Sequence, residues 1–181
     1  MNIGIIGTGN NVLNFAIDAA NSGCKVYMNN PYGNHQLKEV VSTKKNIKLV
    51  GPLEAVVPEI IIFSVPYDNL ENIIKSLPDM TGKIILKPNN PIFYASSPYA
   101  QIFENSAAAK KTALLLPKAH LVNLYCEMPT ITDVPITNHE LKSRIFFSGD
   151  NYHAKNKTKS LLKKLNLSGI DLNEKANLVH L

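Results

Sequence analysis

The chain has 181 residues, of which 45% are hydrophobic and 18% charged; that balance supports a buried core and excludes a disordered or low-complexity chain. The net charge of +5 comes from scattered lysines without interleaved aromatic residues, which excludes a nucleic-acid footprint and suits either solubility or an anionic ligand such as a nucleotide phosphate. No apolar run is long enough to span a bilayer, the opening lacks the basic leader of a signal peptide, and the two cysteines, Cys24 and Cys126, are far apart, so a cytoplasmic protein without membrane contact is expected.

Residues 1–7 read as a short apolar strand that ends in glycine. Val12, Leu13, Ala16, Ile17 and Ala20 then recur at helical spacing, and Gly23 suits the left-handed position that ends a helix. A second strand is expected at 24–28, followed by the turn-rich Asn29-Asn30-Pro31-Tyr32-Gly33. A helix at 35–43, a strand at 46–50 and a short helix at 52–57 come next. The run Ile60-Ile61-Ile62-Phe63 within 59–65 is continuously apolar, as in a central parallel strand buried on both faces. Leu70, Ile73, Ile74 and Leu77 mark an amphipathic helix over 67–77. Strands are expected at 83–86, 112–116 and 144–148. Between the last two, residues 121–138 lack periodicity and are expected to be irregular, over the surface or the ligand mouth. An amphipathic helix over 151–165 carries the lysine cluster Lys155, Lys157, Lys159, Lys163 and Lys164 on a solvated face. Strands alternating with helices predict an α/β fold: a Rossmann-type, doubly wound, mainly parallel sheet in a single domain spanning 1–181.

The central motif is Gly7-Thr8-Gly9-Asn10-Asn11-Val12. It follows the first strand and opens the first helix, where a dinucleotide fingerprint must sit. Gly7 permits the tight turn. Gly9 has no side chain, so the backbone can approach a pyrophosphate, and the helix amino terminus offers free N–H groups. Val12 stands in place of the third glycine of GxGxxG. An NAD site carries an acid at the end of the second strand to bond the ribose 2′-hydroxyl. Asn29 and Asn30 occupy that place. Without the acid nothing there repels a 2′-phosphate, and Asn30 with His35 or Lys38 can accept it. NADP is therefore favoured, with NAD left open.

Further segments add to this motif. Ile62-Phe63-Ser64-Val65-Pro66-Tyr67 ends a strand in a small residue, Val and Pro. Gly82-Lys83-Ile84-Ile85 precedes Asn89-Asn90-Pro91-Ile92, Lys118-Ala119 follows the expected sixth strand, and Phe146-Phe147-Ser148-Gly149-Asp150 forms a late strand and turn. Together with the opening Asn-Ile-Gly-Ile-Ile-Gly-Thr-Gly-Asn, this order resembles the coenzyme F420-dependent NADP oxidoreductases over nearly the whole chain. The resemblance implies a cleft at the carboxyl ends of the strands, with Ser64, Val65, Pro66, Asn90 and Pro91 beside the nicotinamide. It implies direct hydride transfer between NADP(H) and a stacked F420 ring, a flavin or another small acceptor. It also implies an arginine at the place where Asn30 stands, and a continuation with another helix beyond the Asp171 region that is not expected from the few residues up to Leu181. Transfer between two planar rings needs orientation and exclusion of water more than a side-chain acid, in keeping with the lack of a recognisable triad.

His120, next to Lys118-Ala119, is a candidate proton donor at the cleft, against the commoner structural role of a lone histidine. Tyr67 and Tyr94 are candidates for ring stacking or for surface anchors. The histidines have no metal-ligand spacing, and Ser64 lies in no nucleophile elbow. Three readings follow: an NAD(P)-dependent oxidoreductase with a small-molecule redox substrate, a non-catalytic NADP(H) sensor or scaffold, and a homodimer in which a partner chain completes the pocket and the segment 121–138 supplies the interface.

Overall fold

A computed structural model describes residues 1–7, 9–88, 107–126 and 144–176. Eight strands form one sheet in the order β3-β2-β1-β4-β5-β6-β7-β8. They are β1 (Asn2–Gly7), β2 (Lys25–Asn29), β3 (Ile47–Leu49), β4 (Ile60–Ser64), β5 (Ile84–Pro88), β6 (His120–Cys126), β7 (Arg144–Ser148) and β8 (Ser168–Asp171). Strands β1 to β6 are mutually parallel; β7 runs antiparallel to β6, and β8 parallel to β7. The helices are α1 (Asn10–Asn21), α2 (His35–Val41), α3 (Pro52–Ala55), α4 (Leu70–Lys75), α5 (Ala107–Leu115), α6 (Tyr152–Lys164) and α7 (Leu172–Ala176), with a 3-10 turn at Tyr67–Asn69 before α4. The expected Rossmann-type α/β architecture is present. Among the described residues no helix is long and apolar enough to cross a membrane.

The apolar runs explain the two-sided burial. Successive residues of a strand point to opposite faces, so Ile60 and Ile62 join one core while Ile61 and Phe63 join the other. The first core gathers Ile3, Ile5, Ile84 and Leu86 beneath α1 and α6; the second gathers Ile6, Ile85, Leu70 and Ile74 beneath α3 and α4. All four residues of the 60–63 run are 2% exposed or less, and each such side chain contributes about 1.5–3 kcal/mol through the apolar surface it withdraws from water. Helix α1 turns Ala16, Ala19 and Ala20 to the sheet; these small residues let it lie close. It ends at Gly23, whose φ of 77° is the expected left-handed terminator. Gly4 of β1 is equally constrained: a Cβ there would stand 2.0 Å from the Ala55 carbonyl oxygen at the end of α3.

Three expectations are corrected. Residues 112–116 are not a strand; they fall at the end of α5 and just past it. The apolar Ala113-Leu114-Leu115-Leu116 suggested extended chain, but it continues Ala107-Ala108-Ala109-Lys110-Lys111, a run of strong helix formers. The sixth strand is instead His120–Cys126, so Lys118-Ala119 precedes it. Residues 121–126 are thus regular ladder, held by β5 on one side and β7 on the other, and only 127–138 of the expected irregular segment remain, outside the described residues. Strand β8 and α7 were not anticipated. They are short, and β8 is held by pairing with β7 and by the ion pair between Lys155 Nζ on α6 and Asp171 at 3.0 Å.

That pair is nearly dry, with the Lys155 and Asp171 side chains 14% and 1% exposed. The paired carboxylate oxygen, Oδ2, has no hydrogen-bond partner of good geometry, and the other, Oδ1, accepts from the Asn173 N–H at 3.0 Å. Lys155→Met should therefore cost about 3 kcal/mol, because it strands a buried carboxylate, and Asp171→Asn added to it should restore part of the loss; urea unfolding of the two variants measures both. Gly4→Ala should destabilise by about 3 kcal/mol, since the obstructing atom is backbone and no rotamer relieves it; the shift of the urea midpoint measures it.

Candidate functional site

The chain leaves β1 to one side to form β2 and β3, then crosses to β4 on the other. The crevice at the carboxyl ends of β1 and β4 is therefore the point where strand order reverses, the place where open α/β sheets bind ligands. The two strands end side by side, with Gly7 paired to Ser64. At Gly7, φ is 123° and a Cβ would stand 1.8 Å from the Ser64 carbonyl oxygen. The glycine expected for a tight turn is thus required equally by the neighbouring strand. Gly9 differs: its φ is 133°, yet among the described residues nothing lies within 4 Å of where a Cβ would be. The space over Gly9 is open.

Gly9 is the N-cap of α1, and the first helical bond runs from the Leu13 N–H to the Gly9 carbonyl at 2.9 Å. The N–H groups of Asn10, Asn11 and Val12 precede it and have no partner within the helix. The first turn holds no acid to compete for an anion. Val12, which replaces the third glycine, is 4% exposed and packs in the core with Ile3 and Ile5. It thereby fills the helix–sheet contact that a glycine would leave thin. Thr8, Asn90, Pro91 and Tyr94 lie outside the described residues.

The loop after β2 is built by asparagines. Asn29 Nδ2 and Asn34 Nδ2 both donate to the Val50 carbonyl, at 2.9 and 3.1 Å. Asn30 N donates to Asn34 Oδ1 at 2.8 Å; its Nδ2 donates to the Gly33 carbonyl at 2.6 Å, and its Oδ1 accepts from Tyr32 N at 3.0 Å. Asn29 and Asn30 are both buried. Their amides stand in for the backbone partners that a tight loop lacks. Beside this loop a cavity of about 670 Å³ lies between α3 and α4, lined by Ile6, Asn30, Val50, Asn72 and Ile73 among others. Among the described residues its one ionisable lining residue is Glu54, whose carboxylate pairs with Lys48 at 2.7 Å. Asn69 Nδ2 donates to the Tyr32 hydroxyl at 2.6 Å and so joins the loop after β2 to the turn after β4.

On the other side of the crevice Ser64 ends β4, Val65 is buried in the second core, and Pro66 begins the 3-10 turn. Tyr67 is half exposed, with Lys111 Nζ of α5 at 4.6 Å from its ring centre. Lys87, near the carboxyl end of β5, is only 5% exposed, and burial pushes its ammonium below the ordinary lysine pKa. Its one sequence signal is a cation closing the apolar run Ile84-Ile85-Leu86. His120 does not reach the crevice. It begins β6 opposite Ile84, the first residue of β5, at the amino ends of those strands, and lines a separate cavity with Asn151 and Asn173. Asn30→Ala should destabilise by about 1–3 kcal/mol, because the Tyr32 N–H and Gly33 carbonyl lose their partner; urea unfolding, with faster hydrogen exchange confined to the amides of 30–34, checks this.

Residues 2–91, just under half the chain, match the family model described as NADP oxidoreductase, coenzyme F420-dependent. No curated protein matches the sequence significantly. Among solved structures, a hypothetical protein from Sinorhizobium meliloti is 22% identical, with 95% of this chain and 84% of that one aligned at a TM-score of 0.72. A protein described as an F420-dependent NADP-reductase from an Arthrobacter species is 18% identical, with 94% and 83% aligned at 0.67. A reductive aminase from Aspergillus terreus, in complex with NADPH and ethyl levulinate, is also 18% identical; 94% of this chain but 54% of the aminase align, at 0.63, so this chain spans about half of that enzyme's length. At such identities the structures establish the Rossmann-type fold. Over residues 2–91 the chain is similar to the coenzyme F420-dependent NADP oxidoreductases.

Proposed function

We propose that this protein is an NAD(P)-dependent oxidoreductase that moves hydride between a nicotinamide dinucleotide and a second redox cofactor or small acceptor. The observation that carries the reading is the open turn at Gly9. It combines a glycine with no described neighbour above it, the N–H groups of the first turn of α1, which have no partner within the helix, and a place at the switch point of the sheet. A pyrophosphate fits that cradle, because backbone donors and the helix dipole favour an anion there. Gly9, Asn10, Asn11 and Val12 would hold it with their N–H groups, with Gly7 and Thr8 shaping the approach. Asn29 and Asn30 would border the adenosine ribose, and the cavity lined by Ile6, Val50 and Ile73 would take the adenine. Ser64, Val65 and Pro66, with Asn90 and Pro91, would flank the nicotinamide.

The nicotinamide ring supplies the hydride chemistry when bound. The chain's own part is to orient the ring and to exclude water. Val65 anchors the strand end in the core, and Pro66 sets the backbone where the 3-10 turn begins. An F420 ring, a flavin or a small carbonyl or imine compound fits the role of acceptor. The family match over 2–91 and the reductive aminase with bound NADPH support this reading. It is preferred to a non-catalytic sensor because Ser64-Val65-Pro66 continues the crevice past the pyrophosphate turn, beyond what an adenosine sensor needs.

Calorimetric titration with NADPH tests the reading. The unaltered protein should bind at roughly micromolar strength, and Gly9→Asp should weaken binding by at least about a hundredfold, because it puts a side chain and a negative charge where the pyrophosphate would lie. Circular dichroism should show the variant folded, since the added atoms meet no described neighbour and the strain of a side chain at φ 133° costs about 1–3 kcal/mol at a single residue. Equal binding by the variant would sink the assignment.

A further inference from the structure

We infer that the adenosine end of this site does not select for the 2′-phosphate, so that NADH binds within about fivefold of NADPH or tighter. This rests on the dinucleotide reading of the crevice and concerns only the group that separates the two cofactors.

A site selective for the 2′-phosphate needs charge-assisted donors at the end of the second strand. The structure uses its polar groups there for something else. Asn30 is 5% exposed, its amide nitrogen and oxygen engaged by Gly33 and Tyr32. Asn34 is held by the Asn30 N–H and the Val50 carbonyl, and Asn29 by the same carbonyl. The Asn30 and Asn34 amides each retain at most one further hydrogen and one lone pair, and Asn29 has one of its two amide hydrogens committed to Val50. Such neutral groups bond a ribose hydroxyl as readily as a phosphate. They also cannot swing outward to follow a phosphate without breaking the loop they build.

The charges point the same way. Among the described residues no lysine, arginine or histidine lines the cavity, and the one ionisable group there is the carboxylate of Glu54. Its partner Lys48 is engaged by it at 2.7 Å, so the pair offers no net positive charge. His35 and Lys38, the cations nearest in sequence, are exposed on α2 and are not among the lining residues. Glu39 beside Lys38 is exposed as well and offsets its field. The missing acid at the strand end lets a 2′-phosphate in, but the side chains present do not hold it. The asparagine loop is therefore the specificity-determining element, and it is permissive.

The test is a paired titration of the full chain with NADPH and NADH by calorimetry, at low and at high salt. The inference expects NADH to bind within about fivefold of NADPH or tighter, with a ratio that salt does not change. His35→Ala combined with Lys38→Ala should leave that ratio where it was. NADPH tighter by more than about fivefold, a preference that fades with salt, or a loss of NADPH affinity alone in the double variant would each overturn the inference while leaving the dinucleotide reading intact. If neither cofactor binds the folded chain, both fall together.

Discussion

The meeting of two strand ends governs this molecule. Gly7 lies so close to the Ser64 carbonyl that no Cβ fits between them. Because of that contact β1 and β4 end level, and the crevice between their carboxyl ends opens at the turn that follows. Two residues later the same chain needs the opposite, an unobstructed glycine over a helix amino terminus. One glycine is demanded by the sheet and the next by the space above it. A single GxG thus carries two separate constraints, and only the first is imposed by the neighbouring strand.

The packing around this point is conservative. Core residues alternate between two hydrophobic layers, and the helices over them bring small side chains where they approach closely. Val12 illustrates the tolerance of such packing. A glycine at its place would let α1 lie nearer the sheet; the valine fills the gap and becomes core. The fingerprint is altered in sequence while the turn it serves keeps its geometry, because the turn depends on Gly7 and Gly9 and on the register of β1 with β4.

The loop after β2 shows polar side chains doing structural work at the edge of a site. Three asparagines and the Val50 carbonyl form one network. Read as letters, these asparagines were candidate donors for a ligand. In the fold their amides replace the backbone bonds the loop cannot make, and little of their capacity is left. The same distinction removes His120 from the crevice: its neighbours in sequence suggested the cleft, but its register with Ile84 sets it at the other end of the sheet.

The sequence by itself determined the alternation of strands and helices up to residue 88, because periodicity and glycine positions are local and the buried strands are long apolar runs. It also determined the strand-to-helix turn at Gly7 and Gly9, since strand, glycines and helix follow one another without interruption. It misread 112–116 because four apolar residues are equally compatible with strand and helix, and the alanine-lysine run before them decides. It did not foresee β8 and α7, whose few residues have no periodicity of their own and are held by pairing with β7 and by the Lys155–Asp171 ion pair. What only the tertiary structure decided is which polar groups are free. Hydrogen-bond partners such as Val50, distant from Asn29 by 21 positions, are brought together by sheet register alone, and no local pattern encodes them.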